Sequence, residues 1–331
     1  MKRNNSLDCV KFIFTLIIVL HHFQPHINVK AINLGYICVE MFFMISGFFL
    51  YKDFKNNSSS QSATEYTLKR VKKMFPIYVV GLSATLLIKQ ICDFSTYNFV
   101  EFFRELFLIQ GTGISFGTGG NLNGHYWYLS VMIIGGYFIY YLLCRDKEKY
   151  LKFTAPLIII LTYAFLNGKL ENWSNFLFFH LPMWRGIAAM SIGTIIAYYI
   201  DTEMFIKAIK QYNNNKYLFW FLETILYIVT VCLIIFKNNY EFLSILLFPM
   251  VIVFTQMDNS LINKLVGKKV FSELNQYSYA IYIMQLPVIL VVDKLKIDSA
   301  FFNTIILYTT LFVISILMNK LFVQIKQKLK F

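Results

Sequence analysis

"LDCVKFIFTLIIVLHH", residues 7–22, is the stretch on which the fold turns. Its centre is a run of aliphatic and aromatic side chains interrupted by Thr15 alone, the composition of a helix that crosses a hydrocarbon core, which takes about 20 residues. Its ends break the pattern, with Asp8 and Lys11 on one side and His21 and His22 on the other. Charged and titratable groups are costly inside a membrane and mark function when they line a path. In a helix of 3.6 residues per turn, Lys11 and His22 lie about 20° apart in azimuth and about 16 Å apart along the axis, so they share a face. Asp8 falls on the same side and can pair with Lys11 three residues on. His21 sits about 100° from His22 and points elsewhere.

The rest of the chain has the same character. It has 331 residues, 57% hydrophobic and 15% charged, with a mean hydropathy of +0.55. That is too apolar for a soluble globular domain, and the expectation is an all-α polytopic membrane helix bundle. Ten stretches read as spans, roughly 7–25, 33–51, 74–92, 125–144, 151–167, 179–200, 217–236, 240–257, 276–292 and 300–323. Residues 98–110 have helical apolar spacing but carry charges, and read as an amphipathic surface helix.

With alternating sides, 22 of the 31 Lys and Arg fall on the side of the N-terminus and 7 on the other, while Lys11 and Arg185 lie within spans. Basic loops face the cytoplasm, so both termini are placed there. The net charge of +13 is then explained by loops beside anionic lipid, and the bilayer rather than nucleic acid is the expected partner. Cys9, Cys38, Cys92, Cys144 and Cys232 are scattered singly, without the spacing of a metal site or a disulfide framework, and no metal is expected. No cleavage region follows the first span and no repeat or soluble segment divides the chain, so residues 1–331 read as one membrane-embedded domain.

Within the spans, Glu40 stands in "GYICVEMFFMISGFFLY" at a depth comparable to the outer half of the first helix. A short hairpin makes these two helices neighbours, and a carboxylate beside an imidazole would orient it as a general base. Arg185 has no acid near it in sequence. It either pairs with a carboxylate such as Glu40 or stabilises developing negative charge. Trp127 and Tyr128 open a span at the outer interface, where aromatic residues collect, and stacking on a sugar is the functional alternative. His125 and His180 read as interfacial residues and His26 as solvated. The glycines of 111–124 read as a flexible outer loop, because no phosphate-loop lysine follows them.

Asp8, Lys11 and His22 resemble the first motif of the integral-membrane acyltransferase family 3, with Lys in place of the commoner Arg. "GYICVEMFFMISGFFL" is similar to a second family segment through Glu40, Ser46, Gly47 and Phe48. "KRVKKMFPIY" resembles a third through Lys69, Arg70, Lys73, Pro76 and Tyr78. Trp127 and Leu129, Arg185 and Gly193, and the late "NQYSYAIYIMQLPV" continue the resemblance in order. Two positions depart from it: Met132 stands where many members carry Glu, and Gln285 where they carry His.

The resemblance implies a membrane O-acyltransferase that passes an acyl group, acetyl first, from cytoplasmic acetyl-CoA to a hydroxyl of a surface or exported polysaccharide. The implied setting is a bacterial plasma membrane. Lys69, Arg70, Lys72 and Lys73, with Tyr78, would hold the CoA phosphates by charge-assisted contacts. His22 would act as general base or as acyl carrier, organised by Glu40, Lys11, Asp8 and Arg185, with Trp127 and Tyr128 at the acceptor. No appended esterase-like domain is expected. A multi-span transporter or flippase would also place ionisable groups along a path, and dependence on acyl-CoA separates the two readings.

Overall fold

The structure is a computed structural model and describes residues 4–57, 60–93, 99–110, 112–113, 122–177, 179–237 and 239–329. Lys2, Arg3 and most of the glycine-rich stretch 111–124 lie outside the described residues.

The chain folds as helices: α1 (Asn5–Phe23), α2 (Cys38–Asn57), α3 (Ala63–Asp93), α4 (Phe99–Leu106), α5 (Trp127–Arg145), the single turn α6 (Lys147–Lys149), α7 (Ala155–Leu166), α8 (Leu181–Ile200), α9 (Glu203–Asn214), α10 (Lys216–Ile235), α11 (Ser244–Thr255), α12 (Leu261–Val266), α13 (Lys269–Asn275), α14 (Ser278–Lys294) and α15 (Ala300–Leu329). Among the described residues the only strands are β1 (Asn175–Phe176) and β2 (Phe179–His180), an antiparallel pair ahead of α8.

By length and composition, six helical stretches of the described residues can cross a membrane: Asn5–Ile27, Ala63–Ile91, Gly124–Arg145, Lys147–Leu166, Lys216–Ile235 and Ala300–Gln324. The sequence reading of ten is larger for a physical reason. It counts helices such as α2 and α8, which carry Glu40 and Arg185 and bury most of their residues against neighbours, so they need less apolar surface.

These two helices pack backbone to backbone, and two glycines permit it. A Cβ on Gly47 would collide with the carbonyl of Met190, and one on Gly193 with the carbonyl of Met44. Small residues facing each other let backbones approach as they do in membrane helix pairs generally. That approach sets Glu40 of α2 beside Arg185 of α8.

The start of α1 is fixed by Asn4, whose side chain accepts from the backbone N–H of Leu7 at 2.9 Å. Its C-terminal end is braced by Gln24, whose amide exchanges hydrogen bonds with the backbone of Ile32. Of the cysteines described, Cys9 and Cys38 are buried and unbridged.

Helix α4 is shorter than expected and turned the other way. Phe103 is exposed, while Glu105 is buried and its carboxylate accepts the backbone N–H of Asn123 at 2.9 Å. Burial, opposed by that hydrogen bond, pushes the Glu105 carboxyl up to about 7. The Glu105 side chain clamps the chain entering α5.

Candidate active site

Helices α1, α2, α3, α5, α8, α13 and α14 turn side chains to the interior, where they outline two cavities. On α1 the stripe runs Lys11, Thr15, Ile18, His22; on α2, in the opposite direction, it runs Val39, Phe42, Ser46, Phe49, Asp53. Steps of three and four keep one face of a helix turned inward. Tyr66, Lys69, Arg70 and Lys73 of α3, Tyr128 and Met132 of α5, and Ser278, Tyr279 and Tyr282 of α14 complete the walls of the first cavity, of about 590 Å³.

This basic cavity contains four cationic side chains, Lys11, Lys69, Arg70 and Lys73, against the single carboxylate of Asp53. Lys11 pairs with Asp8 at 2.5 Å, and Asp8 is held by Ser272 and Asn275, each at 2.7 Å. Lys69 reaches Asp53 only at 3.8 Å. Arg70 donates to the Tyr66 hydroxyl at 2.5 Å and to the Met132 sulfur at 3.3 Å. A thioether carries no charge, so the guanidinium is uncompensated at that contact. The sum is a pocket suited to a polyanion.

The second cavity, of about 400 Å³, is lined by His21, His22, Tyr36, His125, Trp127, Glu171, Trp173 and Arg185. Within it the imidazoles of His22 and His125 stack at 3.8 Å. His22 Nδ1 lies 3.0 Å from Gln285 Oε1, and the tautomer that makes this contact a hydrogen bond has the proton on Nδ1 and the lone pair on Nε2. Arg185 Nε donates to Glu40, Nη1 donates to the carbonyl of Leu170 at 2.9 Å, and the guanidinium lies over the Trp127 ring. Trp127 and Trp173 meet edge to face at 5.3 Å. Arg185 Nη2 and His125 Nδ1 are buried without a hydrogen-bond partner among the described residues. Gln285 Nε2, on the residue that meets His22, is likewise without a partner among the described residues, and buried polar atoms left unpaired are few in folded proteins.

A family model described as an acyltransferase domain matches residues 4–319. The chain belongs to acyltransferase family 3. Neither a curated protein nor a solved structure matches it.

The sequence-based site residues distribute between the two cavities with four corrections. Glu40 does not orient His22: it accepts from Arg185 and from the Tyr163 hydroxyl at 3.4 Å, and the side chain hydrogen-bonded to His22 is Gln285. Tyr78 does not line the basic cavity. Nine residues from Lys69 is about half a turn around α3, and its hydroxyl donates to the carbonyl of Glu105 and accepts from Gln110 at 2.9 Å. Tyr128 faces the basic cavity, where its hydroxyl lies 3.1 Å from Ser46 Oγ, while its neighbour Trp127 faces the other. His21 lines the histidine cavity, because the wall of that cavity spans more than one face of α1.

Lys72 is exposed and outside the cavity lining. Sequence reasoning missed His125, Glu171 and Trp173. The one available signal was "HYW" at 125–127, a histidine and a tryptophan two apart at the mouth of a span.

Proposed function

We propose that this acyltransferase moves an acetyl group from cytoplasmic acetyl-CoA to a hydroxyl of a surface or exported polysaccharide. The observation that carries the reading is the alignment of the two cavities along α1, a basic one at Lys11 and an imidazole one at His22. CoA phosphates fit the cluster of Lys69, Arg70 and Lys73, and the thiol end points along the cavity toward Ile18. The bundle then acts as one unit of about ten spans in a bacterial plasma membrane, with both termini and the basic cavity cytoplasmic, as the loop charges favour.

In this mechanism the acceptor hydroxyl docks against Trp127 and Trp173 with its oxygen near His22. His22 Nε2 takes the hydroxyl proton as the oxygen attacks the thioester carbonyl. The carbon–sulfur bond breaks, the thiolate leaves with the electron pair, and His22 returns the proton to it, giving the ester and free CoA. Gln285 holds the tautomer that makes Nε2 basic. Arg185 Nη2 supports the acceptor or the developing oxyanion, and Glu40 fixes the guanidinium for that task.

The test is sided. Inside-out membrane vesicles from a strain expressing the chain, given labelled acetyl-CoA, transfer label to envelope glycan, and sealed right-side-out vesicles do not. Equal transfer from both orientations, or none from either, defeats the proposal.

A further inference from the structure

Three residues, Ile18, Val39 and Tyr282, line both cavities. They come from three helices, α1, α2 and α14, and stand where the stripes of those helices pass from one cavity to the other. On α1, Ile18 lies about 10 Å beyond Lys11 and about 6 Å short of His22 along the axis. On α5 the change falls between adjacent residues, Trp127 on one side and Tyr128 on the other. The partition is therefore thin, about one helical turn, and its exposed faces are two β-branched side chains and a phenol ring.

All three side chains are held in place. Tyr282 is anchored, since its hydroxyl donates to the carbonyl of His125 and its ring meets Tyr128 edge to face at 6.0 Å. Ile18 and Val39 are 2% and 8% exposed and, being β-branched, have few rotamers with which to retreat. Any acyl group that travels from the basic cavity to His22 must pass these three side chains.

We infer that Ile18, Val39 and Tyr282 form a septum that admits only a short, uncharged acyl group to His22. The inference rests on the acyl-transfer reading above and adds to it the residues that select its acyl group. An acetyl methyl and its planar carbonyl present little cross-section. Each further methylene must be packed between Ile18 and Val39, and crowding of one methylene is felt in close-packed interiors. A succinyl group would set a carboxylate against two aliphatic side chains, a desolvation that no partner at the septum offsets. The reaction is unchanged: the carbon–sulfur bond of the thioester breaks, the carbon–oxygen bond to the acceptor forms, and the hydroxyl proton ends on CoA through His22.

The experiment measures label transfer to envelope glycan from acetyl-, propionyl-, butyryl- and succinyl-CoA in one preparation of membranes, so that the ratios are independent of how much protein is folded. The native chain is expected to prefer acetyl over butyryl by about tenfold or more, the discrimination a hydrophobic pocket achieves over one or two methylenes. Ile18→Ala and Val39→Ala are each expected to cut that ratio to within about threefold, and Val39→Ile to raise it. Succinyl transfer stays undetectable in all of them. A native chain that uses butyryl- or succinyl-CoA as well as acetyl-CoA overturns the septum while keeping the acyl-transfer reading, as do unchanged ratios in both alanine variants. A native chain that uses none of the four overturns both.

Discussion

The imidazole rings of His22 and His125 lie face to face, 3.8 Å between centroids and 5° from parallel. One comes from the end of α1 and the other from the turn that opens α5, and Tyr282 ties the second to α14 through its backbone carbonyl. The stack fixes the plane of His22 and Gln285 fixes its tautomer. These are two separable constraints on one ring.

That separation gives the first prediction. His125→Phe keeps the stacking surface and is expected to lower acyl transfer by less than about tenfold, whereas Gln285→Leu removes the partner of Nδ1 and lowers it by about a hundredfold, within the range of general-base effects. Initial rates at matched expression decide it. A larger loss in His125→Phe than in Gln285→Leu would show that His125 itself does chemistry.

Glu40 and Arg185 form an ion pair in which both side chains are at most 5% exposed. Removing one partner strands the other charge, at a cost of about 3–5 kcal/mol. Glu40→Leu and Arg185→Met alone are expected to lower the melting temperature in detergent sharply, and the double variant to regain most of it without regaining transfer. Recovery of activity in the double variant would reduce the pair to packing.

Arg70 and Lys73 line the basic cavity without a carboxylate hydrogen-bonded to Arg70 among the described residues. Loss of one charge-assisted contact is worth about 1.5–3 kcal/mol. Arg70→Ala should raise the KM for acetyl-CoA by about ten- to a hundredfold with kcat little changed, and Lys72→Ala, outside the cavity, should leave KM alone. Equal effects at positions 70 and 72 would mean that only the general charge of this end matters.

Glu105 supplies a pH dependence. Its carboxyl is raised by burial from 4.5 to about 7, so the folded state holds a proton that the unfolded state releases. The stabilisation is full below about 4.5 and is lost as pH rises through about 7. Melting temperature should therefore fall across that window, and Glu105→Gln should flatten the fall. A native profile that is level from 4.5 to 7, or one that Glu105→Gln leaves unaltered, refutes the assignment.

How much of this was legible in the sequence depends on how far apart the partners are. The alignment of Lys11 with His22 follows from the period of a single helix, and the structure puts both on the stripe of α1 that lines the cavities. The Asp8–Lys11 pair is local in the same sense. Gln285 meets His22 across 263 residues, and no periodicity within either helix reports that meeting. Tyr78 enters through the resemblance of "KRVKKMFPIY" to a family segment, although helical azimuth turns it away from Lys69 and Lys73. Trp127 and Tyr128 were read as a pair, yet adjacent residues on a helix are about 100° apart, enough to face different cavities. Glu171 and Trp173 sit in an irregular segment between α7 and β1, where neither period applies.

The central claim is that His22 is the base that joins a donor from one cavity to an acceptor in the other. Its most direct measurement is transfer of label from acetyl-CoA to envelope glycan in inside-out vesicles, comparing the native chain with His22→Ala at equal amounts of folded protein. The account predicts robust transfer by the native chain and a loss of about a hundredfold or more in the variant. Native-level transfer by His22→Ala would contradict it.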